Sequence, residues 1–537
     1  MKLMKRHIKY LSFSVLVFLI FITSCEVNNF DLQENPNFLT PDNAEVEPLL
    51  NEHQFLFQDF MEDMAVNSAN IMRYEAMTQS YLDEVSTEVL DGEWERYYEA
   101  LNISRTIEDL ANADPNFQYH SAVSKLLIGY MTITLVDHVG DIPFEEAAKP
   151  TEFPNPSLDD AAGLYIKVLE DIDKAIEDIN NSSTSLNNDL FYDGDKTKWI
   201  AFANSFKLRL LIQTRLASSD IGISDLTTQI NNLLSQDIID TEDEDFVYRH
   251  ATVEEPESRH RFFRRGYASS ATTFISNDFM FKLKDSKPTR DPRIRYYLYR
   301  QSDIDPFSGP PFLACLGDPN VQFCFLGEQY WGLDHGETRT GRGDNDFRTT
   351  YGIYPGGGAF DEDQFIKASD TDNLQGAGII PVLTSFNLKF LIAESALVLG
   401  TDGDPRILLE EAVRASIEKV TNFGGVNSTF EPTSIEIENY ISDVMNLYDS
   451  ATNDDERLDV IITEFYIAAY GNSIEAYNAY RRTGFPSNLQ LPINDNNPIF
   501  PRSYLYSREA VQLNPSISQK QVTDKIFWDT NPDGFIQ

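Results

Sequence analysis

Residues 191–211, FYDGDKTKWIAFANSFKLRLL, carry a turn, a helix start and a helix face in one uninterrupted run. Asp193-Gly194-Asp195 is turn chemistry, because Gly accepts positive φ and Asp side chains bond their neighbouring backbone. Beyond it Trp199, Phe202, Ala203, Phe206 and Leu210 recur at i, i+3, i+4, i+7 and i+11 and so share one helix face. Lys196, Lys198, Asn204, Lys207 and Arg209 fall largely off that face. The stretch predicts a core helix behind an acidic turn, with Asp195 as cap and Trp199 as anchor.

Working outward, the same logic recurs. Val168, Ile172, Ala175, Ile176 and Ile179 predict a helix over Leu158–Asn180, and a Ser/Asn-rich loop to Asn188 joins it to the first stretch as an α-hairpin. A second hairpin spans Leu383–Leu399, the break Gly400-Thr401-Asp402-Gly403, and Asp404–Val420, with lengths that suit a tetratricopeptide-type unit. Further helices are predicted over Val46–Asn67, Asp91–Ala113, Ser121–Val136 and Glu456–Tyr480. The fold class is mainly α, with helical hairpins as scaffold. Asp303–Gly378 departs from it: rich in Gly, Pro, Asp and aromatics, it is too long for a connector and reads as a ligand-facing excursion. The aromatic segment after Pro486 is expected to wrap the helical body.

Composition narrows the function classes. The 537 residues carry a formal charge of −42, which argues against nucleic acid, since phosphate binding needs a basic footprint. A basic segment, MKLMKRHIK, precedes an apolar run from Tyr10 to Ile22, too short for a comfortable membrane span but suited to export. Four of the 43 cations lie there, so its removal leaves −46. Ile22-Thr23-Ser24-Cys25 resembles the lipobox of bacterial lipoproteins, which implies cleavage before Cys25 and its lipidation; an ordinary secretory signal is the alternative. The expected organisation is a signal peptide over 1–24, a tether over 25–42 and one domain over 43–537. Cys315 and Cys324 then remain, either paired in an oxidising compartment or as two buried thiols.

Candidate site residues concentrate in the excursion. Tyr330 and Trp331 are expected to offer stacking faces, Asp334 and Arg342 to bond hydroxyls, and Tyr351 and Tyr354 to add loop aromatics, a mixture suited to carbohydrate. The competing reading is that these rings pin the loop to the core. Trp94, beside Tyr97 and Tyr98 at a helix start, is a second platform with a core role as its alternative. Asp344, Asp346, Asp361 and Asp363 are a possible calcium cluster without EF-hand spacing. His138, between Asp137 and Asp141, is expected to serve as a cap or core group. With 85 acidic residues, carboxylate pairs carry no information about glycosidase chemistry. H-E-x-x-H, G-x-S-x-G and Walker motifs are absent.

Six stretches in order, VGDIPFEEA, DGDKTKWIAFANSFKLRLL, ISNDFMFKLKDSKPTRDPRI, DHGE with RTTYGIYPGGGAFD, EAYNAYRRTGFP and KIFWD, resemble the SusD/RagB family of nutrient-binding outer-membrane lipoproteins. The resemblance implies a single mainly α-helical, tetratricopeptide-like domain anchored by lipid at the cell surface. It implies that the protein captures an oligosaccharide or a peptide and acts as lid for a TonB-dependent transporter of the SusC/RagA type. It implies no cofactor and no catalysis; a secreted or surface glycoside hydrolase is the alternative function.

Overall fold

The computed structural model describes residues 45–307, 315, 321–338, 344–494 and 499–537. The expected signal peptide, Cys25, the expected tether to Asp42, and Arg342 lie outside them. Val46–Gln537 forms one folding unit. Its long helices are α1 (Val46–Ile71), α2 (Asp91–Ala113), α3 (Gln118–Val139), α4 (Ala161–Asn181) and α5 (Lys196–Gln213), then α6 (Ser385–Leu399), α7 (Pro405–Thr421), α8 (Ser434–Ser450), α9 (Asp454–Ala468) and α10 (Ser473–Thr483). Each of α1 to α5 packs on its sequence neighbour, as α6 packs on α7 and α9, and α8 on both α7 and α9. Contacts of α10 with α1 and of α5 with α6 join the two arrays.

The opening stretch folds as read. Asp195 caps α5 by accepting the amides of Thr197 at 2.8 Å and Lys198 at 3.3 Å. Asp193 and Gly194 take φ of 51° and 77°, and Asp189 receives both the Gly194 amide and Trp199 Nε1, at 2.9 and 2.7 Å. Trp199, Phe202 and Phe206 are fully buried. The opposite side of α5 is buried too, which the periodicity did not show. Arg209 lies in the core, its Nε 2.6 Å from Glu475 of α10 and its guanidinium 5.3 Å from the Tyr130 ring. α3 is long and apolar enough to cross a membrane, yet nearly all of it is covered by other helices, the condition of a core helix.

Two features differ from expectation. Glu456–Tyr480 is two helices, because Gly471 at φ 95° breaks the run between α9 and α10. The helix α8 was not predicted, although Thr433 and Glu436 form a capping box at its start, a signal readable in sequence.

Strands are short. β1 (Phe246–Arg249) pairs antiparallel with β4 (Ile379–Leu383), and β2 (Leu298–Tyr299) with β3 (Thr350–Tyr351). β2 and β4 flank the loop-rich portion at its two ends, and β3 lies within it. The C-terminal segment wraps that body as expected: the Tyr504 amide donates to the His138 carbonyl at 2.7 Å and Trp528 Nε1 to Asp137 at 2.8 Å. A six-residue helix, α11 (Arg508–Leu513), rests on α2.

Candidate functional site

The aromatic excursion is a packed layer rather than a displayed surface. Tyr330, Trp331, Asp334 and Tyr354 are 0% exposed and Tyr351 is 1% exposed. The indole of Trp331 lies 5.1 Å under the Arg348 guanidinium and packs against Cys315, Val321 and Phe325. Arg300 covers the Tyr330 ring at 4.6 Å, and burial pushes its phenol up to about 12. Tyr351 stacks on Phe262 at 4.3 Å and bonds Glu75; Tyr354 packs on Tyr297 and Phe423.

Asp334 is saturated from within. Its Oδ1 accepts from Asn277 at 2.7 Å, and its Oδ2 from the amides of Gln322 and Phe323 and from Gln490 at 2.8 to 3.1 Å. The roles expected for Tyr330, Trp331, Asp334, Tyr351 and Tyr354 as ligand contacts are therefore corrected: a ring or carboxylate with no exposed face has none to offer a sugar. The reading that these rings pin the loop is the one the packing supports.

The glycines explain why. At Gly332 a Cβ would sit 1.9 Å from the Ile275 carbonyl oxygen, and at Gly352 2.2 Å from that of Tyr296. Gly here permits backbone to touch backbone, not motion.

The four aspartates considered for calcium are each engaged by a cation. Asp344 meets Arg348 and Asp346 meets Lys367, both at 2.7 Å; Asp361 meets Arg300 at 2.7 Å and Asp363 meets Arg295 at 2.8 Å. Among the described residues these aspartates are not part of a group of three or more potential metal ligands. Cys315 and Cys324 are joined, with Cα atoms 5.5 Å apart. His138 is a core group, its Nδ1 2.7 Å from the Thr134 carbonyl and its Nε2 3.2 Å from Ser68 Oγ.

Trp94 is where aromatic surface and a groove coincide. The inner stripe of α2 runs through Tyr97, Ala100, Leu101, Ser104, Ile107 and Ala111. Trp94 and Tyr98, four residues apart, sit together on its edge and are half-buried, with ring centroids 5.3 Å apart. The Tyr98 hydroxyl donates to the Pro143 carbonyl at 2.9 Å, which fixes its ring, and Tyr506 meets the indole edge-on at 6.0 Å.

These rings form one wall of a groove of about 440 Å³; Ala147, Ala148, Pro154 and Pro156 also line it, and α11 supplies Leu513 and Glu509. Leu513 is 78% exposed, an apolar side chain held at the rim. Asp91 ties α11 in place through Ser507 Oγ at 2.7 Å and Arg508 at 3.3 Å. Asp91, Glu95 and Glu509 make the groove acidic, which suits a neutral or cationic hydroxylated ligand better than an anionic one.

Two other clefts, of about 370 and 380 Å³, are less suited. In the first the single ring, Phe430, is 39% exposed but carries Arg295 over one face at 4.8 Å; the second has no aromatic lining. The α11 wall was not legible in sequence, since Ser507 lies 416 residues from Asp91.

A helical-hairpin array with a loop-rich flank and an aromatic-lined groove defines the class of fold. Family models described as "Starch-binding associating with outer membrane" and "Susd and RagB outer membrane lipoprotein" match residues 37–308 and 340–508. The chain belongs to the SusD/RagB family. Among solved structures, a SusD-like protein from Bacteroidetes is similar at 16% identity and TM-score 0.66, over 91% of this chain and 100% of its own. A chitin-binding protein is similar at 19% and 0.64 over the same shares. A SusD/RagB family protein from Bacteroides thetaiotaomicron is similar at 16% and 0.66, again over 91% and 100%. At these identities the likeness shows the fold. No curated protein matches.

Proposed function

We propose that the protein is a cell-surface lipoprotein, acylated at Cys25, that captures an oligosaccharide against Trp94 and Tyr98 and delivers it to a SusC/RagA-like TonB-dependent transporter it covers as a lid. The observation that carries the binding role is the half-buried indole in an acidic groove. Sugar C–H faces stack on such rings, and hydroxyls bond carboxylates such as Glu95 and Glu509. Family membership supports the partner, the outer-membrane location and binding without turnover. A peptide is the other ligand class the family resemblance implies; the acid rim favours a basic one.

The test is a screen of neutral glycans and basic peptides by calorimetry on the mature protein, followed by Trp94→Ala and Trp331→Ala. Loss of one base-stacking-sized contact weakens binding by about 10-fold or more in Trp94→Ala, while folded Trp331→Ala keeps wild-type affinity. The reverse pattern returns the site to the excursion. Product release from a bound glycan would identify a hydrolase instead.

A further inference from the structure

We propose that Glu62, His250 and His260 form a zinc site that ties the 251–259 loop to α1. One donor atom from each of the three lies within 4.8 Å of one from each of the others. Glu62 Oε1 is 3.6 Å from His250 Nε2 and 3.7 Å from His260 Nδ1. Tetrahedral bonds of about 2.0 Å place ligand atoms roughly 3.3 Å apart, so a small closure of the three side chains brings them onto one ion. Two imidazoles and one carboxylate, with a fourth position open, are a donor set suited to zinc.

The His250 ring is already oriented as a metal ligand, and the His260 ring would present Nδ1 once it gives up the Phe262 amide. A ligating imidazole donates its other N–H to a carbonyl or carboxylate, which fixes the tautomer and aims the lone pair. His250 Nδ1 faces the Ser258 carbonyl at 3.1 Å, and the His260 ring bonds the Ile379 carbonyl. That leaves His250 Nε2 as a lone pair with no hydrogen-bond partner on a side chain only 5% exposed. A buried acceptor without a donor is costly and calls for an explanation; a metal ion supplies one. The backbone holds both residues to one segment, with the amides of His250 and His260 donating to the carbonyls of Gly378 and Gly376, each at 2.9 Å.

Three contacts must give way. His260 Nδ1 accepts the Phe262 amide at 3.0 Å, Glu62 Oε1 accepts the Arg261 amide at 2.7 Å, and Arg264 stands 3.9 Å from Glu62 Oε2. Arg264 is 39% exposed and free to swing outward, and the carboxylate has a second oxygen to offer. The ion would close the exposed loop between the two histidines onto the helix that carries Glu62, so its effect is to order that loop.

The experiment uses the untagged mature protein stripped with a chelator. Titration with Co²⁺, followed by visible absorption, is expected to give one equivalent of an intense four- or five-coordinate spectrum that Zn²⁺ displaces. His250→Ala and Glu62→Gln are expected to weaken binding by about 100-fold or more, beyond the loss typical of outer-shell partners, while His120→Gln, at the remote Glu47 pair, leaves it unchanged. Zn²⁺ is also expected to slow proteolysis within 251–259. No stoichiometric Co²⁺ spectrum in the wild type, or equal affinity in His250→Ala and Glu62→Gln, overturns the proposal. Where a variant does not fold, X-ray absorption of the zinc-loaded wild type decides: two imidazoles in the zinc shell support the site, none refutes it.

Discussion

Glu394→Gln tests how the two helical arrays are held together. Glu394 on α6 is fully buried and receives Arg482 of α10 through two bonds, at 2.8 and 2.7 Å, and Arg215 beyond α5 at 2.9 Å. Burial alone would raise its carboxyl; Arg482 and then Arg215 outweigh this and hold it at about 2 instead of the ordinary 4.5. The amide keeps the shape but strands two guanidinium groups, so the variant is expected to lose about 3–5 kcal/mol at pH 7.

The pH dependence gives a second reading. A depressed folded value contributes stability above pH 4.5 that is lost as pH falls toward 2. The full contribution is about 3 kcal/mol, and about 2 kcal/mol of it is gone by pH 3. Urea unfolding, read by tryptophan fluorescence with reversibility checked, should therefore show the gap between wild type and Glu394→Gln narrowing from pH 5.5 to pH 3. A gap below 1 kcal/mol at pH 7, or one that does not change with pH, would refute the reasoning.

Other outcomes follow from the packed excursion. Trp331→Ala removes a fully buried indole and is expected to cost about 3–5 kcal/mol in denaturant unfolding, so calorimetry must be run on folded protein. Asp334→Ala leaves its four donors inside without an acceptor, and a loss of about 3 kcal/mol or more is expected, against near-neutral behaviour if the carboxylate were a ligand contact facing solvent. Cys315→Ser with Cys324→Ser should lower stability by about 2.7 kcal/mol in the chain-entropy picture, and reduction of the wild type should reproduce it. Gly332→Ala drives a methyl into the Ile275 carbonyl and should abolish soluble expression, whereas Gly222→Ala, with open space around it and only the left-handed φ of 74° to strain it by about 1 kcal/mol, should not.

The scaffold was legible because local patterns recorded it. The stripe of α5, the cap at Asp195, and the break after Leu399 each concern residues within a few turns of one another, where i, i+3, i+4 spacing and turn chemistry act directly. The same rules missed the division at Gly471, because a lone Gly in an apolar run is tolerated in many helices and only its φ of 95° shows the break.

Function was less legible, and for a specific reason. Tyr330, Trp331 and Asp334 have the composition of a sugar site, but whether a ring faces solvent depends on what covers it, and their covers are Arg300, Arg348, Asn277 and Gln490. No local pattern encodes such encounters.

The sequence by itself determined the helical hairpins and, through six ordered motifs, the family, because each rests on neighbouring residues. Only the tertiary structure decided which aromatics are available: it buried Trp331 beneath Arg348 and left Trp94 half-open beside a helix more than 400 residues away. Exposure is set by long-range packing, where Gly332 and Gly352 let backbone meet backbone and close the layer that the sequence reads as open.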